Sequence, residues 1–341
     1  MSNFVTLRIV LTSALVSALI GGAYGYYAHG AFALGAVLGV VFGAVFPALE
    51  ILVFKGDAGA WLRRRPFLVH FGVRSAVYLV IIVMIEMLGV TLFYGAEGLG
   101  RISLGDFAFT LAICAVGNLM YAIADLLGPG VLFAFAAGRY YRPRREERAL
   151  LFIDLRASTT AAERLGEARF LDLLDAFIDD VSQAIVQNGG EIHKYVGDEI
   201  IATWRLKPGR NDAGIVRACF VARDRLAARR DVYKRDFGVG ADFRAALHGG
   251  AVVVGEIGSF KKEIALIGDS MNTTARILDA CRQLDRPTLA SSALLDRLKG
   301  LPDSIAPRVI APLALRGKSQ PLELFALERA EAPALAGAKA G

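Results

Sequence analysis

The pattern of hydrophobic and polar positions changes character near residue 138. Before it, apolar residues run on without a period: 5–27, interrupted by Arg8, then 31–54, 71–94 and 107–127. Each run reaches the roughly 20 residues that a helix needs to cross a bilayer, so four membrane spans are expected. The first run alone has the apolar core and small residues of a signal peptide. More spans follow directly, which favours a retained helix.

Beyond residue 138 the apolar positions become periodic. Leu150-Leu151-Phe152-Ile153 reads as a short buried strand that delivers Asp154 into a helix start, where Ser158, Thr159 or Thr160 can cap. Phe170, Leu173, Leu174, Phe177, Val181 and Ile185 recur at helical spacing until Gly189-Gly190 stops them. Residues 191–202 alternate as two strands about a tight turn at Gly197-Asp198, with the glycine suited to positive φ. A helix over 211–231, strands over 243–247 and 252–257, and helices over 270–283 and 291–298 follow. Strands over 308–315 and 322–327 close the pattern, the first interrupted at Pro312. Strands mixed with pairs of helices predict an α+β sandwich. The expected organisation is a transmembrane domain over 1–137, a basic linker over 138–148, an α+β domain over 149–328 and a loose tail over 329–341.

Composition sharpens this picture. Of 341 residues, 55% are hydrophobic, too many for an ordinary soluble protein. The three cysteines are scattered, which suggests neither a disulfide framework nor a Cys-based metal site, and the four histidines are isolated, which argues against zinc. The net charge of +6 lies largely in two clusters beside apolar runs: Lys55, Arg63, Arg64 and Arg65, then Arg139, Arg142, Arg144, Arg145 and Arg148. Other loops carry little positive charge, Arg101 being the one strong base. Juxtamembrane anchoring explains the clusters better than nucleic acid, and positive-inside places both termini in the cytoplasm of a multi-pass inner-membrane protein.

Three features of the apolar half bear on function. Gly21 and Gly25, and Gly35, Gly39 and Gly43, stand four apart, as at close helix contacts within one bundle or at a dimer seam. Glu86, Asn118 and Asp125 lie at or near membrane depth, where a polar side chain serves a sensing site or an interhelical hydrogen bond. Gly128-Pro129-Gly130 breaks the fourth helix, and 131–137 is too short to cross again. The basic segment that follows either transmits helix packing or anchors to anionic lipid.

The chemistry gathers around two aspartates. A strand, a helical crossover and a hairpin can bring Asp154 and Asp198 together at one sheet edge. Carboxylates held so close repel unless a cation sits between them, and Mg²⁺ is the usual partner. Asp154, Asp198 forty-four residues later, Lys194 in Lys-x-x-Gly-Asp, and Gly268-Asp269-Ser270-Met271-Asn272-Thr273-Thr274-Ala275-Arg276 resemble the catalytic domain of class III adenylyl/guanylyl cyclases. The resemblance covers about 147–327, a little over half of the chain.

The resemblance implies a ferredoxin-like core and cyclisation of ATP to cyclic AMP and pyrophosphate in a homodimer with shared sites. It implies Asp154, Asp198 and the carbonyl of Leu155 as ligands of two Mg²⁺ or Mn²⁺ ions about 3.5–4 Å apart. Backbone N–H groups near 157–159, including Thr159, would bind phosphate oxygens at a helix start. Lys194 would donate to adenine N1, Asn272 would orient the ribose, and Arg276 would stabilise charge in the transition state. Arg316 or Lys318 would contact the triphosphate. Arg316-Gly317-Lys318-Ser319 resembles the end of a P-loop, but Pro312 stands where its first glycine belongs, which excludes that motif.

Two departures stand out. Ala265 occupies the position where adenylyl cyclases place a base-reading Asp or Thr, and Ala157-Ser158 replaces a frequent Gly-Phe. The alternatives are a guanylyl cyclase, which Ala265 keeps open, and a receptor whose cyclase-like domain only binds nucleotide.

Overall fold

A computed structural model describes residues 3–54, 59–63, 65–95, 97–98, 103–127, 138–207, 209, 212–313 and 321–330. Lys55, Arg64, Arg101, Arg316, Lys318, the 131–137 segment and the tail beyond 330 lie outside the described residues, as do the side chains of Arg63 and Asp125. The chain divides into two compact units, Met1–Gly128 and Pro129–Gly341.

The first unit is helical: α1 Asn3–His29, α2 Phe32–Leu49, a π-helical turn Glu50–Phe54, α3 Ala60–Arg63, α4 Phe67–Tyr94 and α5 Leu104–Leu127. Among the described residues three stretches, Val10–His29, Phe32–Phe54 and Leu68–Tyr94, are long and apolar enough to cross a membrane. The fourth expected span corresponds to α5, whose apolar part is the shorter Leu104–Met120. The glycine stripes join α1 to α2 within the chain. A Cβ on Gly35 would stand 2.1 Å from the Gly21 carbonyl oxygen, and one on Gly39 2.1 Å from that of Ser17, so only hydrogen lets the backbones approach. Of the roles open to Glu86 and Asn118, the observed contacts are interhelical. The Thr110 hydroxyl donates to Glu86, and Asn118 Nδ2 donates to Ser75 Oγ at 3.1 Å. Glu50, also buried, accepts from the Tyr78 hydroxyl and pairs with Arg74 at 3.4 Å.

The second unit is built on an eight-stranded sheet. Its elements are β1 Arg144–Leu155, α6 Ser158–Leu165, α7 Glu167–Gln187, β2 Glu191–Val196, β3 Glu199–Arg205, α8 Gly214–Ala228, α9 Arg230–Phe237, β4 Phe243–Ile257, β5 Glu263–Ile267, α10 Asp269–Gln283, β6 Thr288–Ser291, α11 Ser292–Leu295, β7 Ile305–Leu313 and β8 Leu322–Arg329. The strand order is β2-β3-β1-β4-β6-β8-β7, with β5 also on β4. Strand β1 is antiparallel to both β3 and β4, so the first four strands have the expected ferredoxin-like βαββαβ order.

The run from Arg148 to Leu155 is buried throughout because both faces of β1 are covered. Leu151 and Ile153 join a core with Phe177, Val181 and Ile185 of α7, while Leu150 and Phe152 join another with Ile277 and Leu278 of α10. That double burial holds the end of β1, and so Asp154, in place.

Several boundaries differ from expectation. Strands expected over 243–247 and 252–257 are one strand, β4, because Gly249 and Gly250 continue the ladder opposite Ala149 and Arg148. A Cβ at Gly250 would lie 2.3 Å from Ser270 Oγ, so the glycine admits the start of α10. The helix expected over 211–231 is the pair α8 and α9, and β5 and β6 are short strands that the pattern did not distinguish. The break expected at Pro312 appears as a register shift between Ile310 and Leu313. No side chain of Ser158, Thr159 or Thr160 caps α6, because Ala157 occupies the N-cap position in a left-handed conformation.

The segment expected as a basic linker enters the sheet. Strand β1 begins at Arg144, and Tyr140 is only 3% exposed within the α10-side core. Arg148, 2% exposed, donates to Glu146 and Glu191 at 2.9 Å and to the Tyr140 hydroxyl at 3.2 Å. Its charge is neutralised inside the unit and is not offered to lipid. A fragment beginning at Gly138 is therefore expected to unfold cooperatively. One beginning at Glu147, which lacks Tyr140 and Glu146, should be less stable by roughly 3 kcal/mol, from lost aromatic burial and unpaired donors on Arg148. Denaturant melts of the two fragments compare them directly.

Candidate active site

The site forms where β1 ends beside the β2–β3 hairpin. Gly197 turns that hairpin with φ of 60°, which costs a residue without Cβ nothing. The Leu155 N–H then reaches the Asp198 carbonyl at 3.4 Å, so the hairpin turn is tied to the end of β1. Asp154 and Asp198 thus meet as their spacing predicts. Asp154 lies opposite Glu199 on β3 and opposite Arg244 on β4.

Asp154 is 5% exposed and accepts from Arg282 Nη2 at 2.8 Å. Burial pushes its carboxyl pKa upward, opposed by the Arg282 guanidinium and reinforced by the Asp198 charge. Glu199 is pushed up to about 7, first by burial and then by the charge of Asp154. Arg282 sits near the end of α10, where Nη1 also donates to Asp279 at 3.2 Å.

The donors here suit a hard divalent cation. Among the described residues no group of three His, Cys, Asp or Glu side chains converges as a ready-made metal cage. Mg²⁺ does not require one, since it takes one or two carboxylates and completes its shell with water and substrate phosphates. The Arg282 guanidinium on Asp154 shows that the site accepts positive charge. Asp154, the Leu155 carbonyl and Asp198 are the residues that would hold the cation.

Past Asp154 the chain makes a sharp entry into α6. Arg156 N–H donates to the Asp242 carbonyl at 2.8 Å, and Ala157 follows with φ 56° and ψ 31°. This is the conformation that a glycine adopts freely, so the loop keeps that shape with alanine at 157. The N-terminal turn of α6 has no side-chain cap, and Thr159 in it is exposed.

Lys194 lies on β2 just past a register shift and forms an ion pair with Glu263 of β5. Its neighbour His193 is pushed down to about 4 by burial and by the Lys194 ammonium. Ala265 pairs with Gly255 along β5. Asn272 and Arg276 share one face of α10, the first exposed and the second half-buried. Among the described residues neither is hydrogen-bonded or ion-paired to Asp154 or Asp198.

The structure therefore brings Asp154, Leu155 and Asp198 together and leaves Asn272 and Arg276 on a helix surface. Glu199, Arg282 and Glu263 were not anticipated. A signal for Glu199 existed, because a hairpin turning at 197–198 sets residue 199 opposite the strand that ends at Asp154. Arg282 and Glu263 carried none, since their contacts depend on tertiary placement.

The chain is 32% identical over 340 residues to adenylate cyclase 2 of Rhizobium meliloti, covering 95% of this chain and 91% of that protein. It is 25% identical over 181 residues to an adenylate cyclase of Anabaena cylindrica, covering 52% of this chain and 36% of that one. A solved bacterial light-regulated adenylyl cyclase superposes with a TM-score of 0.56 at 18% identity, over 66% of this chain and 65% of that one, which speaks to the fold. No family model matches the chain.

Two expectations follow from the geometry. Ala157→Gly relieves about 1–2 kcal/mol of left-handed strain against roughly 0.4–1 kcal/mol of added unfolded-state entropy. The variant should gain about 0.5–1 kcal/mol in a denaturant melt. Glu199 binds its proton more tightly in the fold than at its ordinary value of 4.5. Its contribution to stability is therefore complete below pH 4.5 and lost as pH rises to about 7. In metal-free buffer the melting temperature should fall across that window. Glu199→Gln, which mimics the protonated form, should flatten the fall, and Mg²⁺ or Mn²⁺ should offset it at the alkaline end.

Proposed function

The chain belongs to the class III adenylyl/guanylyl cyclase family, and from that premise we propose that it is a membrane-bound adenylate cyclase converting ATP to 3′,5′-cyclic AMP and pyrophosphate in a homodimer. The observation that carries this is the convergence of Asp154 and Asp198, tied through Leu155, beside the uncapped start of α6.

In-line attack of the ribose 3′-hydroxyl on the α-phosphate needs little covalent work from the protein, so catalysis is positioning and charge stabilisation. Divalent cations bound by Asp154, Asp198 and the Leu155 carbonyl would supply activation of the hydroxyl and neutralisation of the triphosphate. The first backbone N–H groups of α6, around Ala157–Thr159, bind phosphate oxygens. Lys194 donates to the base, and Arg316 or Lys318 reaches the triphosphate. Asn272 orients the ribose, and Arg276, a permanent cation with a fork of donors, meets the charge that develops.

Helix geometry supports the dimer. Arg282 touches Asp154, and Asn272 stands ten residues away on α10, or roughly 15 Å along its axis. That separation supports the arrangement implied by the family resemblance, in which a second copy supplies Asn272 to a ribose held over Asp154. The three stretches able to cross a membrane, with α5 as a fourth span, support multi-pass insertion. The basic clusters beside the apolar runs favour a cytoplasmic side for the termini, and so for the nucleotide site. A guanylyl cyclase is the second reading, favoured by Ala265, which offers no acceptor to the adenine amino group.

Full-length protein in membranes should form cyclic AMP from ATP with Mg²⁺ or Mn²⁺. Asp154→Asn and Asp198→Ala should each lower turnover on the order of a hundredfold or more. Mixing Asp198→Ala with Arg276→Ala, each inactive alone, should restore up to roughly a quarter of wild-type activity through heterodimers with one intact site. Absence of product from every mixture and from wild type would reject the reaction. Activity of the wild type without complementation would reject the shared site.

A further inference from the structure

We propose that Glu263 is the acceptor half of a purine-reading pair with Lys194, taking over the role that Ala265 cannot perform. The inference rests on the placement of the base at Lys194 proposed above.

The pair is closed between strands that are not neighbours. Strands β3, β1 and β4 stand between β2 and β5 in the sheet order, so the contact does not follow a ladder. Both side chains are about two-fifths exposed, Lys194 at 41% and Glu263 at 39%. A pair this exposed contributes little to stability, so a ligand edge can separate the two groups at small cost. Glu263 also stands two residues before Ala265 on β5. Side chains two apart on a strand project to the same side, so the carboxylate belongs to the row in which Ala265 presents only a methyl. The ammonium beside it holds the Glu263 carboxyl below its ordinary range, so at neutral pH it is ionised and only accepts.

An ammonium only donates and a carboxylate only accepts. Adenine offers a matching edge, with N1 as acceptor and the 6-amino group as donor. In that pose guanine would set O6 against the carboxylate and N1–H against the ammonium, two unfavourable contacts in place of two hydrogen bonds. Discrimination between ATP and GTP then resides in an ion pair that the nucleotide opens, with residue 265 contributing only space.

The test deletes one partner from each side. Full-length wild type and Glu263→Ala, in membranes with Mn²⁺, are compared with ATP, GTP and purine riboside triphosphate, which lacks the 6-amino group. Glu263→Gln, which keeps the volume, is run beside them. Wild type should prefer ATP over the 6-unsubstituted analogue in kcat/KM by at least roughly tenfold, because a site that accepts from an amino group penalises its absence. In Glu263→Ala that preference should shrink to about one, and the ATP to GTP ratio should fall with it. Glu263→Gln should keep part of the preference, since its carbonyl still accepts.

An unchanged preference in Glu263→Ala would overturn the proposal and leave Glu263 as a tether of Lys194. A loss confined to GTP would overturn it in favour of guanine recognition. If wild type turned over no nucleotide, the reaction proposed above would fail. Competition of the same triphosphates against a fluorescent ATP analogue would then still decide whether Glu263 senses the 6-amino group.

Discussion

Crowded negative charge at the end of β1 is the constraint around which the catalytic unit is arranged. Like charges about 4 Å apart at an effective dielectric of 20 repel by about 4 kcal/mol, a large fraction of the net stability of a domain. The fold meets this in two ways. Glu199, opposite Asp154, keeps its proton to about pH 7, and Arg282 delivers a guanidinium to Asp154. Both compensations are replaceable, one being a proton and the other a long, half-exposed side chain. A divalent cation bound at Asp154 and Asp198 would do the same electrostatic work. What is not replaceable is the rigidity of the strand end, which comes from apolar residues buried on both faces of β1.

Much of this was legible in the sequence, for reasons that differ between residues. The β2–β3 hairpin was readable because Gly197-Asp198 interrupts two alternating runs, and a glycine at a hairpin turn announces its own φ. The Asp154–Asp198 approach followed from element order alone. The extent of β1 was not legible. Arg144, Arg145 and Arg148 look like a solvated basic tract, and only the partners Glu146, Glu191 and Tyr140 turn Arg148 into a buried residue. The continuity of β4 was hidden by Gly249 and Gly250, which usually weaken strands and here serve close packing, Gly250 under α10 and Gly249 against α11. Arg282 and Glu263 were invisible because neither belongs to a local pattern.

The helical unit shows the same division. The four-residue spacing of glycines predicted close helix approach, and the backbone contacts of Gly35 with Gly21 and of Gly39 with Ser17 fulfil it inside one chain. Spacing cannot say which helix is the partner; the short 29–31 connection between α1 and α2 decides it. Glu86 and Asn118 were conspicuous as polar residues in apolar runs. Their partners, Thr110 and Ser75, are unremarkable in sequence and were found only when α4 and α5 lay side by side. Polar groups in such a setting need internal hydrogen bonds because lipid supplies none.

The helix α10 links the chemistry to assembly. Near its C-terminus it carries Arg282, which compensates Asp154 of its own chain, and in its first half it carries Asn272 and Arg276, neither of which is hydrogen-bonded or ion-paired to that Asp154 among the described residues. In the proposed two-fold dimer the same helix would contribute to two sites, one through Arg282 and the other through Asn272 and Arg276. Binding that displaces Arg282 from Asp154 at one site would then act on the element proposed to present the ribose and transition-state groups to the other. In that arrangement α10 would make each copy the complement of the other.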